Sequence, residues 1–140
     1  MIRTIRQGLL AGLLAGLLAA MLFVVDYGPA NSLHVVARWF GLDSQGAGKL
    51  FGFLLILFLG GVFGILFSMV AGRWQPALGR WLLTGLVTGA VWWVLVVLLV
   101  GTGINHLSLS FGSVLYSIVP LLLYGLLLGS ISFRWRWQNV

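Results

Sequence analysis

The sequence predicts an all-α fold, an integral-membrane four-helix bundle with a short interfacial helix on its outer face, in one transmembrane domain over residues 1–140. Composition is the first reason. Hydrophobic residues make up 61% of the chain and charged ones 7%, against roughly 25% charged in an average soluble domain, and the mean hydropathy is +1.11. So little polar material cannot cover a globule in water, whereas a lipid-facing surface needs none. The second reason is the length of the uncharged runs, and the third is the uneven distribution of arginine between them.

The elements follow in order. Gly8 to Val25 is 18 residues without a charge, which at about 1.5 Å per residue approaches a hydrocarbon core of roughly 30 Å and gives a span over about 8–27. Arg3 and Arg6 ahead of it resemble the start of a signal peptide, but the apolar stretch outruns the usual ~7–15 residues and reads as a retained span. Leu50 to Gly72 adds 23 uncharged residues, a span over about 48–72. The next run, Trp81 to Phe133, holds 53 residues, too many for one crossing, and the turn-forming stretch Gly101–His106 divides it into spans at about 77–100 and 110–133. Pro76 suits the first turn of the third span, where a missing donor is harmless. Pro120, mid-way along the fourth, predicts a kink, with Ser117 placed to satisfy the freed Tyr116 carbonyl.

Between the first two spans, Leu33, Val36, Ala37 and Phe40 recur at helical spacing, with His34 and Arg38 on the other side. Asn31 or Ser32 as a start and Gly41 as a stop complete a short amphipathic helix lying in the interface, anchored by Trp39. Asp43 then suits the start of the second span.

With an even number of spans both termini share one side. Arg3, Arg6, Arg73, Arg80, Arg134 and Arg136 fall there, while Arg38 and Lys49 fall on the other side and are cancelled by Asp26 and Asp43. Insertion retains basic residues inside, so the expected location is a bacterial-type plasma membrane with both termini cytoplasmic. Trp74, Trp81, Trp135 and Trp137 accompany the inner arginines as an interfacial belt. The basic excess therefore reads as topology plus contact with anionic lipid. Nucleic acid is not an expected partner, since no segment is long enough to build a basic groove outside the bilayer.

Small residues recur along every span. Gly8, Ala11, Gly12, Ala15, Gly16, Ala19 and Ala20 occupy one half of the first helix, and its leucines the other half. Gly60, Gly64, Ser68 and Gly72 repeat the device in the second span, Thr84, Gly85, Thr88 and Gly89 in the third, and Ser113, Ser117, Gly125 and Gly129 in the fourth. Lipid tails are as apolar as leucine, so helix association relies on the close backbone approach that small residues permit. Such stripes serve either a homo-oligomer, with the first helix as the dimer seam, or the interior of one bundle. Four helices need several internal seams before any face is left over, which favours internal use for most of them.

Chemistry has few candidates. There is no cysteine and no glutamate, which excludes disulfides, thiolate metal sites and cysteine catalysis, and leaves two aspartates near the interface for carboxylate chemistry. No metal site, cofactor or enzymatic activity is expected. His34 and His106, both expected outside, are the sharpest ligand hypothesis: together they would offer two imidazoles to a haem or pigment. No span contains the ionisable group that coupled carriers use, so transport would be uncoupled, along a path lined by hydroxyls such as Ser68, Thr88 and Ser117. Those hydroxyls equally suit bonds back to their own helices. Of Trp92 and Trp93, neighbours about 100° apart, at most one faces the bundle centre.

The segment Leu123-Tyr-Gly-Leu-Leu-Leu-Gly-Ser-Ile-Ser-Phe133 resembles the closing motif of the YqhR-like conserved bacterial membrane proteins. That resemblance implies four spans, a longer first loop, a glycine-rich second helix and a tryptophan-bearing third, and it implies no chemistry. The leading expectation is a non-enzymatic structural or accessory membrane subunit that packs through small-residue faces with copies of itself or with other membrane proteins. A small uncoupled transporter or channel is the alternative, and haem, quinone or pigment binding through the outer histidines a third reading.

Overall fold

A computed structural model of the chain describes residues 2–39, 47–71, 73, 77–104, 106 and 110–137. Of these, the side chains of 2, 23–39, 47–49, 101, 113, 116, 136 and 137 are not described. The described residues are helical almost throughout and contain no strand. Helix α1 spans Ile2–Trp39, α2 Ala47–Ala71, α3 Leu78–Trp93 and α4 Phe111–Trp137, and α3 continues as a wider-wound π-helix over Val94–Ile104. Four stretches are long and apolar enough to cross a membrane: Arg3–Leu22, Leu50–Ala71, Leu78–Ile104 and Ser117–Trp135.

Two boundaries differ from the sequence reading. The segment expected to form a separate interfacial helix is instead the C-terminal part of α1, whose backbone runs on to Trp39. Asn31 and Ser32 are thus inside a helix and not at its start, because one proline at position 29 removes a single donor and the ladder propagates on either side. At about 1.5 Å per residue, α1 is far longer than the roughly 30 Å hydrocarbon core needs. The stop at Gly41 and the role of Asp43 lie outside the described residues.

The third span likewise outlasts its expected end at 100. The Thr102 hydroxyl donates to the Val97 carbonyl at 3.3 Å, five residues back, a spacing suited to the wider winding. The helix is over by His106, whose φ of 54° is left-handed, a conformation that histidine tolerates better than bulky or β-branched residues.

The bundle is built from two tight antiparallel pairs, α1 with α2 and α3 with α4; α1 also meets α4. By contrast α2 and α3 approach mainly through rings. Phe63 stacks on Trp92 with centroids 5.4 Å apart, and Phe67 meets Trp81 edge-on at 5.7 Å. The pairs thus close through backbone and join through the α1–α4 contact and through aromatic side chains between α2 and α3. Along α1, Gly8, Ala11, Gly12, Ala15, Gly16, Ala19 and Ala20 are all buried, while Leu9, Leu10, Leu14 and Leu18 are exposed. The outward faces of the other helices are equally bulky and apolar, up to Phe58 at 66% and Phe111 at 81% exposure. That is an arrangement a water-soluble monomer avoids.

Candidate functional site

The two seams bring most of the predicted small residues together. A Cβ added to Gly12 would strike the Gly60 carbonyl oxygen and come within 2.9 Å of Gly64 Cα; one added to Gly8 would strike the Ser68 hydroxyl and come within 2.5 Å of the Gly64 carbonyl oxygen. Gly16 is looser, with the Ile56 carbonyl oxygen 3.3 Å from the added atom. On the other side, Gly85 and Gly125 face each other backbone to backbone, Gly89 faces the Leu121 carbonyl, and a Cβ on Gly129 would meet the Trp81 carbonyl oxygen at 2.6 Å. A glycine is required at these crossings because the partner is a main chain, which cannot rotate out of the way.

The hydroxyls turn inward on their own helices. Ser68 donates to Ile65 O at 2.8 Å, Thr84 to Arg80 O at 2.7 Å, Thr88 to Thr84 O at 2.8 Å and Ser130 to Leu126 O at 2.8 Å. Each thereby meets its own donor requirement locally, as is usual for Ser and Thr in apolar helices. Ser117 gives its one hydroxyl proton to Val114 O at 3.1 Å and so not to the carbonyl freed by Pro120, and its oxygen accepts the Trp93 indole N–H at 2.9 Å. This Trp93–Ser117 bond crosses from α3 to α4.

Where a channel would need space, the centre holds rings. Trp92 is 1% exposed and Tyr124 is fully buried, their rings packed edge to face at 4.5 Å, and Phe63 stacks on the same indole. The Tyr124 hydroxyl donates to the Gly60 carbonyl at 2.6 Å, tying α4 to α2 at the glycine of the opposite seam. The Trp92 Nε1 is buried without a hydrogen-bond partner. Tyr124 was not singled out by sequence, although one signal was present: a phenol in the middle of an apolar span must find an acceptor. Trp92 and Trp93 divide as their spacing requires, the first at the centre and the second against α4.

The histidines are not brought together by anything described. His106 is exposed, and His34 lies on the backbone of α1 with its side chain outside the described residues. Among the described residues no cluster of three His, Cys, Asp or Glu side chains suits a metal ion. At the opposite end of the bundle, Arg3, Arg6, Arg73, Arg80 and Arg134 are all exposed. Trp81 beside them is buried between Phe67 and Phe133, the latter edge-on at 6.4 Å. No protein-family model, curated protein or solved structure matches this chain.

Proposed function

We propose that the chain is a non-enzymatic structural or accessory subunit of a bacterial-type plasma membrane, inserted as a four-helix bundle with both termini cytoplasmic. The observation that supports this most is the division of surfaces among the described residues: small residues and rings face inward, and large aliphatic and aromatic side chains on every helix face outward. An outer surface of that kind is matched to acyl chains or to the apolar face of another membrane protein. Because the glycine stripes already oppose one another inside the chain, association with a second copy or a larger complex draws on the bulky outer faces. Kinship with the YqhR-like proteins, carried by residues 123–133, belongs to the same reading.

The uncoupled-channel reading draws less support. Its lining residues Thr88 and Ser117 have their hydroxyls engaged, and aromatic side chains occupy the central layer. Cofactor binding through His34 and His106 draws none from the described geometry. The test is the mass of the particle in mild detergent and in lipid nanodiscs, coupled to a solute-flux assay in proteoliposomes. A defined oligomer or co-purifying membrane partner without flux is the expected result. A strict monomer in every lipid, or flux abolished by Thr88→Leu, would overturn it.

A further inference from the structure

Resting on the membrane reading above, we propose that the arginine-bearing end of the bundle is a binding site for the headgroup of an anionic phospholipid. Among the described side chains the positive charge there has no acidic partner. Arg3, Arg6, Arg73, Arg80 and Arg134 are exposed, and the only acidic side chains in the chain, Asp26 and Asp43, are separated from them in sequence by the first two spans.

The seams gather the cations at one end of the bundle. The contacts of Gly8 with Ser68 and of Gly12 with Gly64 run α1 antiparallel to α2, so Arg3 and Arg6 at the start of α1 lie at the same end of the bundle as Arg73, just past the end of α2. On the second seam, Trp81 stands against Gly129 and its ring meets Phe133, so Arg80 and Arg134 each adjoin a member of that ring pair. Like charges gathered at one end repel unless anions lie among them, and a phosphodiester accepts the parallel N–H bonds that guanidinium groups present.

The position of the site selects a lipid over a soluble anion. The arginines cap apolar spans, and the faces beneath them are exposed hydrocarbon: Leu9 and Leu10 on α1, Val70 on α2 and Leu83 on α3. A headgroup phosphate at the arginines would lay its acyl chains along those side chains, whereas free phosphate would leave them uncovered. Trp81 and the partly buried Trp135, both packed on the core, fix the helix ends that carry Arg80 and Arg134.

The test uses the full-length protein in a neutral detergent, with thermal unfolding followed as phosphatidylglycerol, phosphatidylcholine, inorganic phosphate or a short oligonucleotide is added. Phosphatidylglycerol alone should raise the midpoint, and native mass spectrometry should show it retained. Arg3→Gln with Arg73→Gln should lose most of that shift while keeping the lipid-free midpoint, since both side chains are exposed. Equal shifts from phosphatidylcholine or inorganic phosphate, a larger one from the oligonucleotide, or an undiminished shift in the double variant would overturn the proposal. Flotation with phosphatidylcholine vesicles separates the two levels: wild type and variant that float but show no anionic preference refute the lipid site alone, and a protein that floats with no vesicle refutes the membrane reading beneath it.

Discussion

At Gly12 and Gly85 the obstacle to any side chain is the carbonyl of another helix, at Gly16 it lies at 3.3 Å from the added atom, and at Gly79 there is nothing within 4 Å. That gradient makes a prediction. Gly12→Ala and Gly85→Ala should each destabilise by about 1–3 kcal/mol through overpacking. Gly16→Ala should cost less, and Gly79→Ala should be neutral or gain up to about 1 kcal/mol from helix propensity. Thermal unfolding in detergent orders them; equal effects at Gly12 and Gly79 would deny that the seams are close. The Trp93–Ser117 and Tyr124–Gly60 bonds are the other residue-scale ties. Tyr124→Phe removes a donor but leaves the Gly60 carbonyl its place in the α2 ladder, so the loss should be about 1 kcal/mol. A double-mutant cycle on Trp93→Phe and Ser117→Ala should show coupling of similar size.

Between elements, the contrast is between seams closed by backbone and a junction where α1 meets α4 and rings fill the space between α2 and α3. Severing the chain between Ala71 and Leu78 should therefore leave two hairpins that reassociate in detergent when co-expressed. Phe63→Ala or Trp92→Ala should weaken that reassociation, measured by co-purification, far more than Gly12→Ala does. Much of this was legible in advance: in α1 the alternation of leucine with glycine and alanine fixes which half is inward, because a helical period leaves no freedom once small residues recur every three or four positions. What could not be read was which stripe meets which. Gly60 and Gly125 look equivalent in the chain, and only the assembled bundle shows one facing α1 and the other α3. Tyr124 was missed for the same reason, since its acceptor lies 64 residues away. The ends of α1 and of the third span differ from the sequence reading because proline and glycine are weak stops: Pro29 removes a single donor, and the ladder propagates on either side of it.

For the molecule as a whole, two asymmetries make the argument: large apolar side chains outside with rings and glycines inside, and arginines gathered at the end where α1 begins and α4 finishes. The first predicts a particle that requires amphiphile to stay dispersed, and the second predicts a bilayer orientation with both termini cytoplasmic. Because the chain has no cysteine, single cysteines report position without background. The decisive measurement is labelling of intact cells by a membrane-impermeant maleimide, with cysteine placed at Thr4, Gln138 or His106 in turn. His106→Cys should react from outside, and Thr4→Cys and Gln138→Cys only after the membrane is permeabilised. Reaction of Thr4→Cys or Gln138→Cys in intact cells, or recovery of the protein in the soluble fraction, would contradict the account.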